Sequence, residues 1–128
     1  NAYRRFDSSA ISGTLGAPVP LEGIPGDVVS LAVGDQNVYA LLTDGGTFCR
    51  GVNSFGNCAT TQGPTPADPY LYGPIPSLAG ITRMWASLAF ACGTFSDGGV
   101  MCWGYNSAGQ VGDGTTMNRF VPARPLGF

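Results

Sequence analysis

The stretch DGGVMCWGYNSAGQVGDGT, residues 97–115, gathers turn glycines, Cys102, Trp103, Asp97 and Asp113 into one short window. Three chemistries use residues of this kind. A phosphate cradle would close GQVGDGT around an anion, but that design is written GxxxxGK[ST], and the chain has no lysine. Calcium would use Asp113, with Asp97 elsewhere, yet calcium loops collect several carboxylates over a short span and here each loop offers one. Acid and base catalysis needs positioned titratable groups. The eight acids are Asp7, Glu22, Asp27, Asp35, Asp44, Asp68, Asp97 and Asp113; histidine is absent as well, and no serine sits in a GxSxG elbow. The residues therefore read as non-catalytic, with no cofactor and no metal.

The four cysteines, Cys49, Cys58, Cys92 and Cys102, carry the remaining chemistry. Without histidine or a CxxC pair they do not read as a zinc site, and as structural staples they do not read as reactive thiols. Disulfides are the better reading, and they place the chain in an oxidising compartment, secreted or on the cell surface. The start at Asn1, with no initiator methionine and no charged-then-apolar leader, reads as a processed or excised segment.

Those residues need elements to hold them. The chain has 128 residues, enough for one domain with a core. It carries 20 glycines and 10 prolines spread along its length, which favours short strands and turns over helices. A formal charge of −2 with arginine as the sole side-chain cation argues against a nucleic-acid partner. No apolar run approaches the roughly 18 residues of a spanning helix, so no membrane insertion is expected.

The window also repeats. DGGTFCRGVNSFG from Asp44 aligns without a gap on DGGVMCWGYNSAG from Asp97, and eight of thirteen positions are identical at an offset of 53. Apolar strand-like runs precede each copy, VVSLAVG and NVYALLT before the first, ITRMWAS and FACGTFS before the second. A period near 50 residues with several strands per unit is the mark of a β-repeat array such as a propeller. The fold expected is all-β: two propeller-type blades of antiparallel strands, with little or no helix. The organisation expected is an N-terminal arm over 1–17 and a first repeat over 18–74 that carries a proline-rich insertion at 60–76. A second repeat over 75–120 follows, and VPARPLGF, 121–128, reads as the opening of a third.

Within each unit, Asp44-Gly45 and Asp97-Gly98 suit three-residue hairpin loops, with the glycine in the left-handed position. That register sets Cys92 opposite Cys102, close enough to bridge, and Tyr39 opposite Cys49. Cys49 must then look elsewhere, and Cys58 is nearest in sequence; three connectivities are possible in principle.

The pattern of an apolar strand, then DGxVxCWGxNxxGQxGDGT, then a proline-led return strand resembles the repeat of the regulator of chromosome condensation family. Residues 97–115 match it almost throughout. Residues 44–57 match less well, since Arg50 stands where the tryptophan of CWG is expected. The resemblance implies a propeller of four-stranded blades, usually seven, and paired cysteines placed like Cys92 and Cys102 are similar to those of secreted and bacterial versions. Guanine-nucleotide exchange belongs to a whole propeller and is not carried over to two blades.

Two blades leave apolar faces and sheet edges uncovered at both ends. The function expected is a non-catalytic extracellular protein that self-assembles into an oligomer or filament through blade stacking and strand addition, its partners being copies of itself or remaining propeller blades. The alternative is a fragment of a secreted propeller that grips a protein or glycan through its loops. Trp103 reads as a packing residue between sheets, whereas Phe55, Tyr105, Tyr70 and Tyr72 are candidate interface residues. Thr60, Thr61 and Thr65, in the proline-rich segment, are candidates for O-linked sugar.

Overall fold

The computed structural model describes residues 23–66 and 68–127. The arm expected over 1–17 and the beginning of the first repeat at 18 lie outside the described residues. Two four-stranded antiparallel sheets follow one another along the chain, each in simple meander order. The first holds β1 Val28–Val33, β2 Asn37–Leu42, β3 Thr47–Gly51 and β4 Leu71–Tyr72; the second holds β5 Ile81–Ala86, β6 Phe90–Phe95, β7 Val100–Gly104 and β8 Arg119–Ala123. A short 3-10 turn at Pro76–Leu78 is the only helical element among the described residues, none of which forms a helix long and apolar enough to cross a membrane.

The 53-residue repeat is structural down to its irregularities. Both sheets bulge at the same place, between Val28 and Ser30 in the first and between Ile81 and Arg83 in the second. Each Asp-Gly hairpin closes the same way. Asp44 Oδ1 accepts from the Gly46 N–H at 2.8 Å and Asp97 Oδ1 from the Gly99 N–H at 2.8 Å. Gly45 and Gly98 supply φ of +88° and +85°, a region that costs a side chain about 1 to 2 kcal/mol. The resulting registers pair Tyr39 with Cys49 and Cys92 with Cys102.

Because side chains alternate across a strand, β2 buries both faces and reads NVYALL, nearly continuous in apolar residues. One face turns toward the second sheet. Ala32, Tyr39, Leu41 and Cys49 there meet Ile81, Met84, Ala91 and Trp103, with Leu78 of the linking turn filling the same core. The opposite face gathers Ala40, Leu42, Phe48 and Leu71 under Ile24 and Val28. The sheets pack face on face, as neighbouring blades do, and β1 and β5 run closest where they meet.

Two expected boundaries are corrected. The proline-rich segment expected as an insertion at 60–76 contains the fourth strand of the first sheet, since Leu71–Tyr72 pair with β3. The loop from β3 to β4 runs over 52–70 and its counterpart from β7 to β8 over 105–118, so the first is five residues longer. Nor does VPARPLGF open a third unit. Val121–Ala123 belong to β8 of the second sheet, and the Leu126 N–H returns to the Gly112 carbonyl at 2.8 Å.

Candidate functional site

The joint between the sheets is organised around one carbonyl. Asn57, fully buried, offers its main-chain oxygen to the Tyr39 hydroxyl from the first sheet and to Trp103 Nε1 from the second, the latter at 3.1 Å. The two rings meet edge to face at 6.1 Å. The Asn57 side chain donates to the Ala89 carbonyl at 3.2 Å and accepts from the Phe55 N–H at 3.2 Å. Burial pushes the ionisation of the Tyr39 hydroxyl well up, so it remains a donor throughout the physiological range.

The loops after β3 and β7 are drawn together by one repeated asparagine. Asn53 accepts from the Cys58 N–H at 2.8 Å and donates to the Thr60 carbonyl at 2.9 Å. Its counterpart Asn106 accepts from the Val111 N–H at 2.8 Å and donates to the Thr115 and Met117 carbonyls at 3.1 and 2.8 Å. The second loop adds Asp113, whose Oδ1 accepts from the Thr115 hydroxyl at 2.8 Å and from the Thr115 N–H at 3.0 Å, while its other oxygen pairs with Arg119. The Thr115 hydroxyl first, then the Thr115 N–H and Arg119, outweigh the cost of desolvation and hold the carboxyl at about 2. In GDGT the aspartate works as a loop clasp.

The cysteines join as Cys49–Cys58 and Cys92–Cys102. Cys49 and Cys58 are buried in the joint, where Asn37 Nδ2 lies 3.3 Å from each sulfur. Cys92–Cys102 spans paired strands on the outward face of the second sheet, with Cα atoms 4.0 Å apart. That face carries the row Trp85–Cys92–Cys102–Ala123, the repeat counterpart of Ala32–Tyr39–Cys49–Tyr72.

The structure divides the four aromatic interface candidates. Phe55 and Tyr105 meet edge to face with ring centroids 4.9 Å apart, tying the two loops across the joint. Tyr70 and Tyr72 instead line a cleft of about 420 Å³ together with Asn53, Ser54, Gln62, Pro64 and Pro69. Of the threonines proposed to carry sugar, Thr60 is withdrawn: it is buried, and its hydroxyl accepts from the Gln62 N–H at 3.0 Å. Thr65 is half-buried with its hydroxyl on the Asp68 carbonyl, and Thr61 is exposed.

Sequence reasoning passed over the asparagines. Asn53 and Asn106 were visible as an identical pair in the repeat. Asn57 aligns with Gln110 and Asn37 with Phe90, so neither carried a repeat signal. Trp85, exposed on the outward face, is set apart from the buried Trp103 only by its strand position.

No family model matches the chain. Among solved structures it is similar to human WBSCR16, with a TM-score of 0.68 and 20% identity over 84% of this chain and 29% of that one. It is also similar to yeast RCC1 (Prp20) bound to Kap60, with a TM-score of 0.59 and 22% identity over 79% of this chain and 25% of that one. A third similar structure is Prp20p from Saccharomyces cerevisiae, described with its binding to Gsp1p and histones; the TM-score is 0.59 and the identity 20%, over 79% of this chain and 26% of that one. The chain thus spans between a quarter and three tenths of the chains it matches. Its fold is that of two blades of an RCC1-like β-propeller.

Proposed function

We propose that these two consecutive blades of an RCC1-like fold form a non-catalytic, extracellular interaction module that self-assembles head to tail by stacking blade on blade. The observation that carries this is positional. Met84 of the second blade is 9% exposed because the first blade covers it, and its counterpart Leu31 is 55% exposed. Ala32 of the first blade is 7% exposed because the second blade covers it, and its counterpart Trp85 is 53% exposed. Val33, counterpart of Ala86 at the joint, is exposed as well.

Each end therefore presents the positions that the internal joint buries, and the two ends are of opposite kind. An outward blade face seats a second copy's inward face, which is a heterologous contact that propagates. Copies of this chain satisfy both ends at once. The two disulfides support an oxidising, extracellular setting. A second reading, a module that recognises a protein or glycan through its loops, is favoured by the cleft at Tyr70 and Tyr72.

Sedimentation of Trp85→Glu, Leu31→Glu and their mixture tests the assembly. The wild-type chain associates with rising concentration, each variant alone stays monomeric, and the mixture forms a species of two chains and nothing longer, because each variant keeps the end that the other lacks. A wild-type chain that remains monomeric up to about 0.5 mM refutes self-assembly. Continued association of Leu31→Glu by itself refutes the head-to-tail arrangement.

A further inference from the structure

We infer that the cleft beside Tyr70 is a binding site for a neutral oligosaccharide, an assignment that develops the second reading and does not depend on assembly, since no residue of β1 or β5 lines it. Its volume of about 420 Å³ falls in the range of small-ligand clefts. Among the described residues no charged side chain lines it, which suits an uncharged ligand. Tyr70 is among the exposed aromatic residues, and an exposed ring offers a flat apolar face to the C–H side of a sugar ring while its hydroxyl stays wet.

The polar groups choose between sugars and peptides. Among the described residues, the side chains of Ser54, Gln62, Tyr70 and Tyr72 make no hydrogen bond within the protein. Hydroxyls and carboxamides both donate and accept. Sugar hydroxyls answer both functions. A proline-rich segment, which would also suit an aromatic groove, offers chiefly carbonyl acceptors and would leave the accepting half of these groups unmet.

The walls are set before any ligand arrives. The Gly51 N–H reaches the Tyr70 carbonyl at 2.8 Å, the Thr65 N–H reaches the Leu71 carbonyl at 2.6 Å, and the Tyr70 N–H reaches Asp68 Oδ1 at 2.9 Å. Asp68 is itself held by Arg50. A site fixed in this way pays little ordering entropy on binding.

The test is a titration of the isotope-labelled chain by amide shifts, with cellotriose, maltotriose and chitotriose as probes and a hexaproline peptide as competitor class. At least one trisaccharide should move the Gly63 and Tyr70 amides saturably with a dissociation constant near 1 mM, on the order expected of a shallow uncharged cleft. Tyr70→Ala should weaken that binding about tenfold. Gln62→Ala, which leaves the ring in place, should weaken it about threefold by removing one hydrogen bond. The proposal is overturned if no trisaccharide moves these amides at about 20 mM. It is equally overturned if the peptide alone does so, or if Tyr70→Ala binds as tightly as the parent. Either failure leaves the sedimentation result standing, so the two readings fail separately.

Discussion

If the Asn57 carbonyl is the latch between blades, its two donors must be energetically coupled, and a double-mutant cycle on Tyr39 and Trp103 measures that coupling. Tyr39→Phe removes the hydroxyl, but Trp103 Nε1 still satisfies the oxygen, so the loss is one hydrogen bond, about 1 kcal/mol. Trp103→Phe leaves the hydroxyl in place and adds a partial cavity, for about 1 to 3 kcal/mol. Tyr39→Phe made in the Trp103→Phe background is different in kind. It strips the last donor from a carbonyl on a fully buried residue, at about 2 to 3 kcal/mol. The cycle should therefore show about 1 to 2 kcal/mol of coupling, the double variant being less stable than the sum of the singles. Urea unfolding followed by far-ultraviolet circular dichroism reads all four stabilities. Coupling below about 0.5 kcal/mol, the scatter seen between independent sites, would mean that the carbonyl does not join the blades.

Two further outcomes follow from the loops. Asp113, held at about 2, has a folded pKa below its ordinary value, so its contribution to stability is full above about pH 4 and drains away as pH falls toward 2. Asp113→Asn should flatten that acid-side decline in urea midpoints measured between about pH 5 and 2, and a decline of unchanged steepness would exclude the clasp as its source. Gly56 and Gly109 share a left-handed backbone, φ +82° and +77°, but a Cβ on Gly56 would lie 2.3 Å from the Arg119 carbonyl oxygen, whereas one on Gly109 finds nothing nearer than 4.0 Å. Gly109→Ala should cost about 1 kcal/mol of conformational strain, and Gly56→Ala clearly more, because it also pushes on β8. Equal melting temperatures for the two variants would remove steric approach as the reason for Gly56.

Much of the architecture was legible because the repeat and the hairpin chemistry are local. Asp-Gly at a fixed offset gave the turn, the turn gave the register, and the register set Cys92 against Cys102 and Tyr39 against Cys49. What escaped was everything decided between units. The fourth strands were misplaced because β4 is two residues long and β8 begins at Arg119, ahead of the proline-led phrase that looked like a new start. Thr60 looked like a loop residue, yet the loop folds inward on Asn53 and buries it. Phe55 and Tyr105 looked like separate surface anchors, and only the packing of neighbouring loops shows them occupied with each other. Asn57 had no repeat partner to mark it, although its carbonyl organises the joint.

One substitution makes the two ends unequal. Arg50 holds the position of Trp103, and its guanidinium is already engaged by Asp68 on the first blade, so no indole N–H waits there for a carbonyl from another unit. In the proposed assembly, a joint made at that end would lack the indole latch that fixes the internal one. An array of such units would then alternate strong seams with weak ones. On dilution or shear it would part only at the weak seams, so its fragments would always hold an even number of blades, and their lengths would change in steps of one chain.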